Sequence, residues 1–219
     1  PNGGASNPGL WNPLTNELPN SIDLIDVDDL SYGNDRWVQD SMQTGFQSMP
    51  VSYGRRDIKV HMQTHRGQGG LGAYLPGEML GDDLGYAFPG GPESTSLNYG
   101  GNLEIFPPHT GYPLGRVIIG GGSGGTINGI ANTDRMSTNQ RAWLNAQEIQ
   151  GPYLEVSSEW LILGHIDEVF QVVPNLTAGG KPYRVVIASP DLAIATLEDA
   201  QDLGFGSAAV FDGRVGYET

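Results

Sequence analysis

Apolar residues in this chain gather in short runs set between Gly, Pro, Asn and Asp, and most runs are too brief for a helix. Leu24–Val27, Asp57–His61, Leu103–Phe106, Arg116–Ile119, Trp160–Leu163, Tyr183–Ala188 and Ala208–Phe211 read as strands, from their Val, Ile and Tyr content and their Gly/Pro boundaries. Two stretches switch to helical spacing. Ser137 to Gln150 puts Trp143, Ala146 and Ile149 on one face and leaves Asn139, Arg141 and Glu148 for solvent. A second helix starts at Ser189-Pro190-Asp191, runs through Ala193, Leu197 and Ala200, and stops at Gly204; it has an N-cap, a first-turn proline and an early acid. The alternation of strand and helix in the second half predicts an α/β fold. Residues 1–22, rich in Pro, Asn and Gly, read as an extended N-terminal arm, and no linker divides residues 23–219.

Composition narrows the picture. The 33 Gly and 15 Pro among 219 residues favour turns and short strands over long helices. No apolar run approaches the roughly 18 residues of a membrane span. A net charge of −14 argues against nucleic acid, which is held by clustered Lys and Arg. It suits a cationic substrate or partner, or a metal cation, and solubility alone would also account for it. The absence of cysteine removes disulfides, thiolate metal sites and a thiol nucleophile from these residues. The sequon Asn175-Leu176-Thr177, and a start without the basic and apolar regions of an intact signal peptide, give the expectation of a processed, secreted protein. The run Gly120–Thr126 follows a strand as a phosphate loop would. It has no Lys-Ser/Thr pair, and is expected to be a flexible connection.

Three clusters can carry chemistry: Asn34–Asp40, Gly101–Glu104 and Trp160–Glu168. If Trp160–Leu163 is a strand, His165 and Asp167 leave its end pointing the same way, a base beside a carboxylate. A structural hydrogen bond is the other reading of that pair. In the first cluster, acids flank Trp37. Paired carboxylates can grip a guanidinium, which is planar, permanently charged and rich in N–H donors. The other reading there is a capped loop with Trp37 in the core. His61, His65 and His109 read as loop or surface residues.

The ordered motifs DRWVQD (Asp35–Asp40), GNLE (Gly101–Glu104) followed by Pro107-Pro108, PLGR (Pro113–Arg116) and EWLILGHIDE (Glu159–Glu168) resemble the protein-arginine deiminases. GDDLGY (Gly81–Tyr86), Ala146–Gln150 and VVIASP (Val185–Pro190) extend the likeness from about Asn34 to Asp212. The resemblance implies a pentein, an α/β-propeller of ββαβ modules, here partial. It implies hydrolysis of peptidyl-arginine to citrulline and ammonia. Asp40 and Asp167 match the aspartates that clasp the guanidinium, and His165 the general acid/base. Trp37 and Trp160 match aromatic residues flanking the substrate stem, and Arg66 a contact to the substrate backbone. Gln39, the Leu103 carbonyl, Glu104 and Asp83 match calcium-linked positions.

The sequence also departs from the family. No cysteine stands anywhere in it, so this chain alone is expected to be inactive, with the nucleophile on a second polypeptide. An arginine-binding remnant and a small-guanidine deiminase are the alternatives. Ser41 and Gln43 stand where the family usually has acids, so calcium binding is expected to be weak or dispensable. Gln68 replaces a second substrate-binding arginine.

Overall fold

The computed structural model describes residues 8–19, 21, 37–66, 70–90, 95–122, 125–127, 130–132, 135–177 and 179–208. Helix α1 (Pro8–Glu17) opens the described chain where an extended arm was expected. Pro8 fits a first helical turn, where its missing N–H costs nothing, and Leu18 N donates to Leu14 O to close the last turn. Pro13 interrupts one backbone bond without ending the helix. The expected strand Leu24–Val27 lies outside the described residues.

One arrangement then recurs. In the first unit a short turn, α2 (Val38–Ser41), feeds the hairpin β1 (Met42–Val51) and β2 (Gly54–Gln63). Helix α3 (Gly70–Glu78) crosses over, and β3 (Leu84–Ala87) returns parallel to β2. In the second unit the 3₁₀ turn Gly100–Asn102 feeds β4 (Leu103–Phe106), antiparallel to β5 (Arg116–Gly121). A side hairpin, β6 (Gly125–Ile127) and β7 (Ile130–Asn132), precedes helix α4 (Thr138–Asn145), and β8 (Leu154–Ser157) returns parallel to β5. The third unit begins the same way. The 3₁₀ turn Ile166–Glu168 feeds β9 (Phe170–Pro174), antiparallel to β10 (Tyr183–Ile187), and helix α5 (Pro190–Ala200) follows. The expected strand Ala208–Phe211 falls, apart from Ala208, outside the described residues.

The α/β expectation holds, and several local expectations change. Trp160–Leu163 is a turn rather than a strand: Leu161 N donates to Ser158 O, and Gly164 sits at φ +78°. The apolar strand partner of β5 is instead Leu154–Ser157, just upstream. Helix α4 is capped by Ser137, where the helix was expected to begin, its hydroxyl accepting from Gln140 N, but it ends at Asn145 rather than Gln150. Its buried residues are Gln140 and Leu144, while Ala146 is exposed. The residues after it serve as a tie: Gln150 donates to Leu114 O (2.7 Å), accepts from Phe46 N (2.8 Å), and so joins the first two units. Part of the glycine run is strand, with Gly120 and Gly121 in β5 and Gly125 opening β6. Helix α5 matches its prediction, with Ser189 capping Leu192 N at 3.3 Å and Gly204 at φ +91° beyond its end.

The core lies between the first two units, where Met62, Leu97, Leu103, Val117, Ile119, Met136 and Leu144 pack with Ile105, Trp143 and Tyr153. The third unit is covered differently. Val185, Val186 and Ile187 of β10 are 40, 54 and 65% exposed, whereas Val117, Ile118 and Ile119 of β5 are at most 6% exposed. Leu192, Ile194 and Leu197 of α5 are exposed as well. Among the described residues, no helix is long and apolar enough to cross a membrane.

Candidate active site

The three short turns that feed β1, β4 and β9 meet one another, and each brings one part of the site. The first carries Asp40, the second Gly101 and the third His165 and Asp167. Gly101 is where they converge. A Cβ built on it would lie 2.7 Å from His165 Nδ1, 2.8 Å from Asp167 Oδ2 and 2.9 Å from Asp40 Oδ1. Only a residue without a side chain fits there. Gly101 also donates its amide to Asp40 Oδ1 at 3.2 Å, which aims that carboxylate.

His165 is 5% exposed, and its ring is fixed from behind. Nε2 lies 2.9 Å from the Ser96 carbonyl, an oxygen that can only accept, so Nε2 carries the proton. Nδ1 is thereby turned towards Asp40, 3.7 Å away. The edge of the Tyr99 ring meets the imidazole with centroids 6.2 Å apart. The backbone is fixed too: His165 N donates to Glu168 Oε1 at 3.0 Å, capping the turn. Ile166, fully buried, points inward and leaves His165 and Asp167 to face the cavity.

Asn102 holds this frame. It is fully buried, and all its polar capacity is directed to backbone. Its Oδ1 accepts from Gly120 N (2.8 Å) and Ile166 N (3.1 Å), and Nδ2 donates to Leu97 O and Gly120 O, each at 2.9 Å. One side chain thus ties β5 to the turn bearing His165 and Asp167 and to the segment bearing Ser96. Gly120 permits this closeness: a Cβ there would lie 2.5 Å from Asn102 Oδ1, Gly164 O and Ser158 Oγ.

A cavity of about 440 Å³ opens above these groups, lined by Trp37, Asp40, Arg66, Ser96, Tyr99, Leu163, His165, Asp167 and Glu168. Trp37 and Arg66 stand in its wall as the sequence suggests. Trp160 does not, and Leu163 takes the apolar position. The Arg66 guanidinium lies over the Tyr99 ring at 5.7 Å. Gln68 lies outside the described residues. Burial pushes the Asp167 carboxyl above its ordinary value, and the charges of Asp40 and Glu168 push it further, against the opposing pull of His165 and the Glu168 amide. Glu104 is also raised, by burial first, with Asp167 adding to it and the Gln171 hydrogen bond opposing. The sequence motifs assign no individual role to Gly101, Asn102, Leu163 and Glu168, which stand inside them, nor to Ser96 and Tyr99, which stand outside them. Only the double glycine before Asn-Leu-Glu could have hinted at the close approach.

The suggested calcium positions fall in two places, with Asp83 apart from Gln39, Leu103 and Glu104. Gln39 Nε2 is 3.4 Å from Glu104 Oε1, so these two are neighbours. Leu103 adjoins Glu104 in the chain and pairs with Ile119; its side chain is in the core, and the suggested contact is its carbonyl. Asp83 is bound to Arg56 at 2.8 Å. Leu84 pairs with Lys59, which places Asp83 beside Ile58, six residues before Thr64, whose hydroxyl bonds Asp40 O, so Asp83 lies on the order of 20 Å from the site. Among the described residues no group of three His, Cys, Asp or Glu could hold a metal ion. Of the remaining histidines, His61 is buried in β2 with Nδ1 3.1 Å from Thr44 Oγ1, because its strand face is covered; the loop or surface reading does not hold there. His65 is partly buried against Phe88, and His109 is exposed and stacks on Tyr112.

Two carboxylates and an oriented imidazole around one point, on a frame of repeated ββα elements, make a site able to hold a planar cation and move a proton beside it. The protein-arginine deiminase (PAD) family matches residues 22–218, and the chain belongs to that family. It is 35% identical over 192 residues to human protein-arginine deiminase type-1, covering 82% of this chain and 26% of that protein. It is 34% identical over 189 residues to rat type-3 (84% and 26%) and 30% identical over 187 residues to human type-4 (82% and 26%). The chain therefore spans about a quarter of the length of these relatives.

Proposed function

We propose that these residues form the guanidinium clasp and proton shuttle of a protein-arginine deiminase, with the cysteine nucleophile supplied from outside these 219 residues. The observation that carries the reading is the convergence of His165 Nδ1, Asp167 Oδ2 and Asp40 Oδ1 over Gly101. The carboxylates each accept N–H bonds from the substrate guanidinium, offset its charge and orient its carbon. A thiolate from outside this chain, which has no cysteine, adds to that carbon. The C–N bond breaks as the leaving nitrogen departs as ammonia with a proton delivered by His165. Water, deprotonated by His165, then displaces the sulfur and leaves citrulline. The aliphatic stem of the substrate runs between Trp37 and Leu163, and Arg66 reads its backbone.

The fold reading that accompanies this is a partial propeller of ββαβ modules. It is supported by the recurrence of hairpin, helix and parallel strand in two units and of hairpin and helix in a third. The uncovered apolar residues of β10 and α5 support a partner that docks there. A secreted origin is supported by the sequon at Asn175, whose Leu176 and Thr177 are exposed, while Asn175 is half-buried and its amide donates to Lys181 O at 2.7 Å in the β9–β10 turn. Intact mass of the native protein tests both points.

The test of activity is a ureido colour assay on peptidyl-arginine, with chain alone and with its cysteine-bearing partner. Citrulline is expected only in the second case; turnover by the chain alone would sink the mechanism. The lack of cysteine also supports a second reading, arginine binding without turnover, which predicts affinity for peptidyl-arginine and no product in either mixture. Competition between peptidyl-arginine and agmatine separates a peptide site from a small-guanidine site.

A further inference from the structure

The segment from Gln39 to Gln43 is stitched to the segment from Gly100 to Glu104 by three contacts. Asp40 Oδ1 accepts from Gly101 N, Gln43 Nε2 lies 2.9 Å from Gly100 O, and Gln39 Nε2 lies 3.4 Å from Glu104 Oε1. A fourth amide, Gln171 Nε2, reaches the same Glu104 oxygen at 3.3 Å from β9. A carbonyl oxygen only accepts, so the Gln43 contact must be made by its NH₂. The backbones are also pressed close, since a Cβ on Gly100 would lie 1.9 Å from the Gln39 carbonyl oxygen.

We infer that neutral carboxamides, not a divalent cation, hold the clasp together, so that guanidinium binding in this protein is independent of calcium. The inference rests on the reading of the cavity as an arginyl site. Its physical basis is the sign of the groups. An acid at position 43 would face the Gly100 carbonyl with two acceptors in contact, and a bridging cation would be required to reconcile them. A glutamine presents a donor and needs no bridge. Gln39 and Gln171 do the same for the Glu104 carboxylate, donating to the oxygen a cation would otherwise claim. Asp83, engaged by Arg56, brings no further charge to the place. The cation this acidic cavity accommodates is then the substrate guanidinium itself.

The experiment is calorimetry on the chain, titrating calcium chloride alone and then Nα-benzoyl-arginine amide in excess EDTA or in millimolar calcium. Calcium alone should give no saturable heat, and the arginine derivative should bind equally in both media. Gln43→Glu should weaken that binding in EDTA by about tenfold, the worth of one hydrogen bond. Saturable calcium uptake by the wild-type chain, stronger ligand binding in calcium, or a Gln43→Glu variant that binds normally in EDTA would each overturn the inference. If the wild-type chain binds no arginine derivative in either medium, the arginyl-site reading fails instead. The calcium titration, which needs neither that ligand nor a folded variant, then decides the inference by itself.

Discussion

Gly101→Ala is the sharpest perturbation of the site, because the added methyl group enters the point where three functional atoms converge. It would lie 2.7, 2.8 and 2.9 Å from His165 Nδ1, Asp167 Oδ2 and Asp40 Oδ1. Ordinary contact begins near about 3.5 Å, so each group must retreat by roughly 0.6–0.8 Å. None can do so freely: His165 is tethered to Ser96 O, Asp40 to the Gly101 amide, and Asp167 to a turn pinned by Asn102. Overpacking of this kind costs about 1–3 kcal/mol of folding stability. Displacing binding groups by nearly an ångström costs about 10–100-fold in affinity or rate. Circular dichroism melts give the first quantity and calorimetry with benzoyl-arginine amide the second. Gly77→Ala is the control: nothing lies within 4 Å of its Cβ position in helix α3, and it should stabilise the chain by about 0.5–1 kcal/mol. A folded Gly101→Ala chain with wild-type affinity would refute the argument that these atoms form one site.

Other consequences follow from the same geometry. Asn102→Ala strands the buried amides of Gly120 and Ile166, at about 1–3 kcal/mol each, and urea unfolding should show a loss of roughly 3 kcal/mol or more. Asp167→Asn should act in two directions. Because burial and neighbouring acids hold the folded-state value above the unfolded one, ionising Asp167 costs stability. That cost is fully present above the folded value and vanishes below the unfolded carboxylate range. The variant should therefore melt higher than wild type at neutral pH, with the difference closing as the solution is acidified. Its arginyl-ligand affinity should fall by about tenfold or more, and the wild-type affinity should rise with pH as Asp167 ionises; flat binding across the acidic range would contradict this.

Much of the candidate site was legible in the sequence because Asp40, His165 and Asp167 stand in recognisable motifs. Asp40, His165 and Asp167 meet around Gly101, a grouping the family resemblance implied, whereas spacing alone pointed to His165 and Asp167 and for a mistaken reason. His165 and Asp167 do not extend a strand; they flank a buried Ile166 in a capped turn. What could not be read was the role of residues whose value lies in lacking a group, or in hiding one. Gly101 and Gly120 matter because neighbours occupy the space a side chain would need. Asn102, Gln140 and Gln150 are polar yet buried, since each satisfies backbone groups from distant segments. A hydrophobic pattern counts them as surface, which is why the buried face of α4 was misassigned. The apolar run Trp160–Leu163 misled in the opposite sense: Ile162 is 94% exposed.

The placement of one site element at the head of each unit has a consequence for how ligand binding and folding are linked. Hairpins such as β1–β2 draw on residues close in sequence and can form early. The cavity cannot, because Asp40, Gly101 and Asp167 meet only when all three units are in place. On the proposed function, an arginyl ligand would therefore report complete assembly and be silent towards partly folded chains that already hold native strands. By mass action it also selects the assembled form, adding about 2.7 kcal/mol at a hundredfold excess over its dissociation constant. Loss of binding ahead of loss of secondary structure, along one denaturation curve, would mark the step at which the units part.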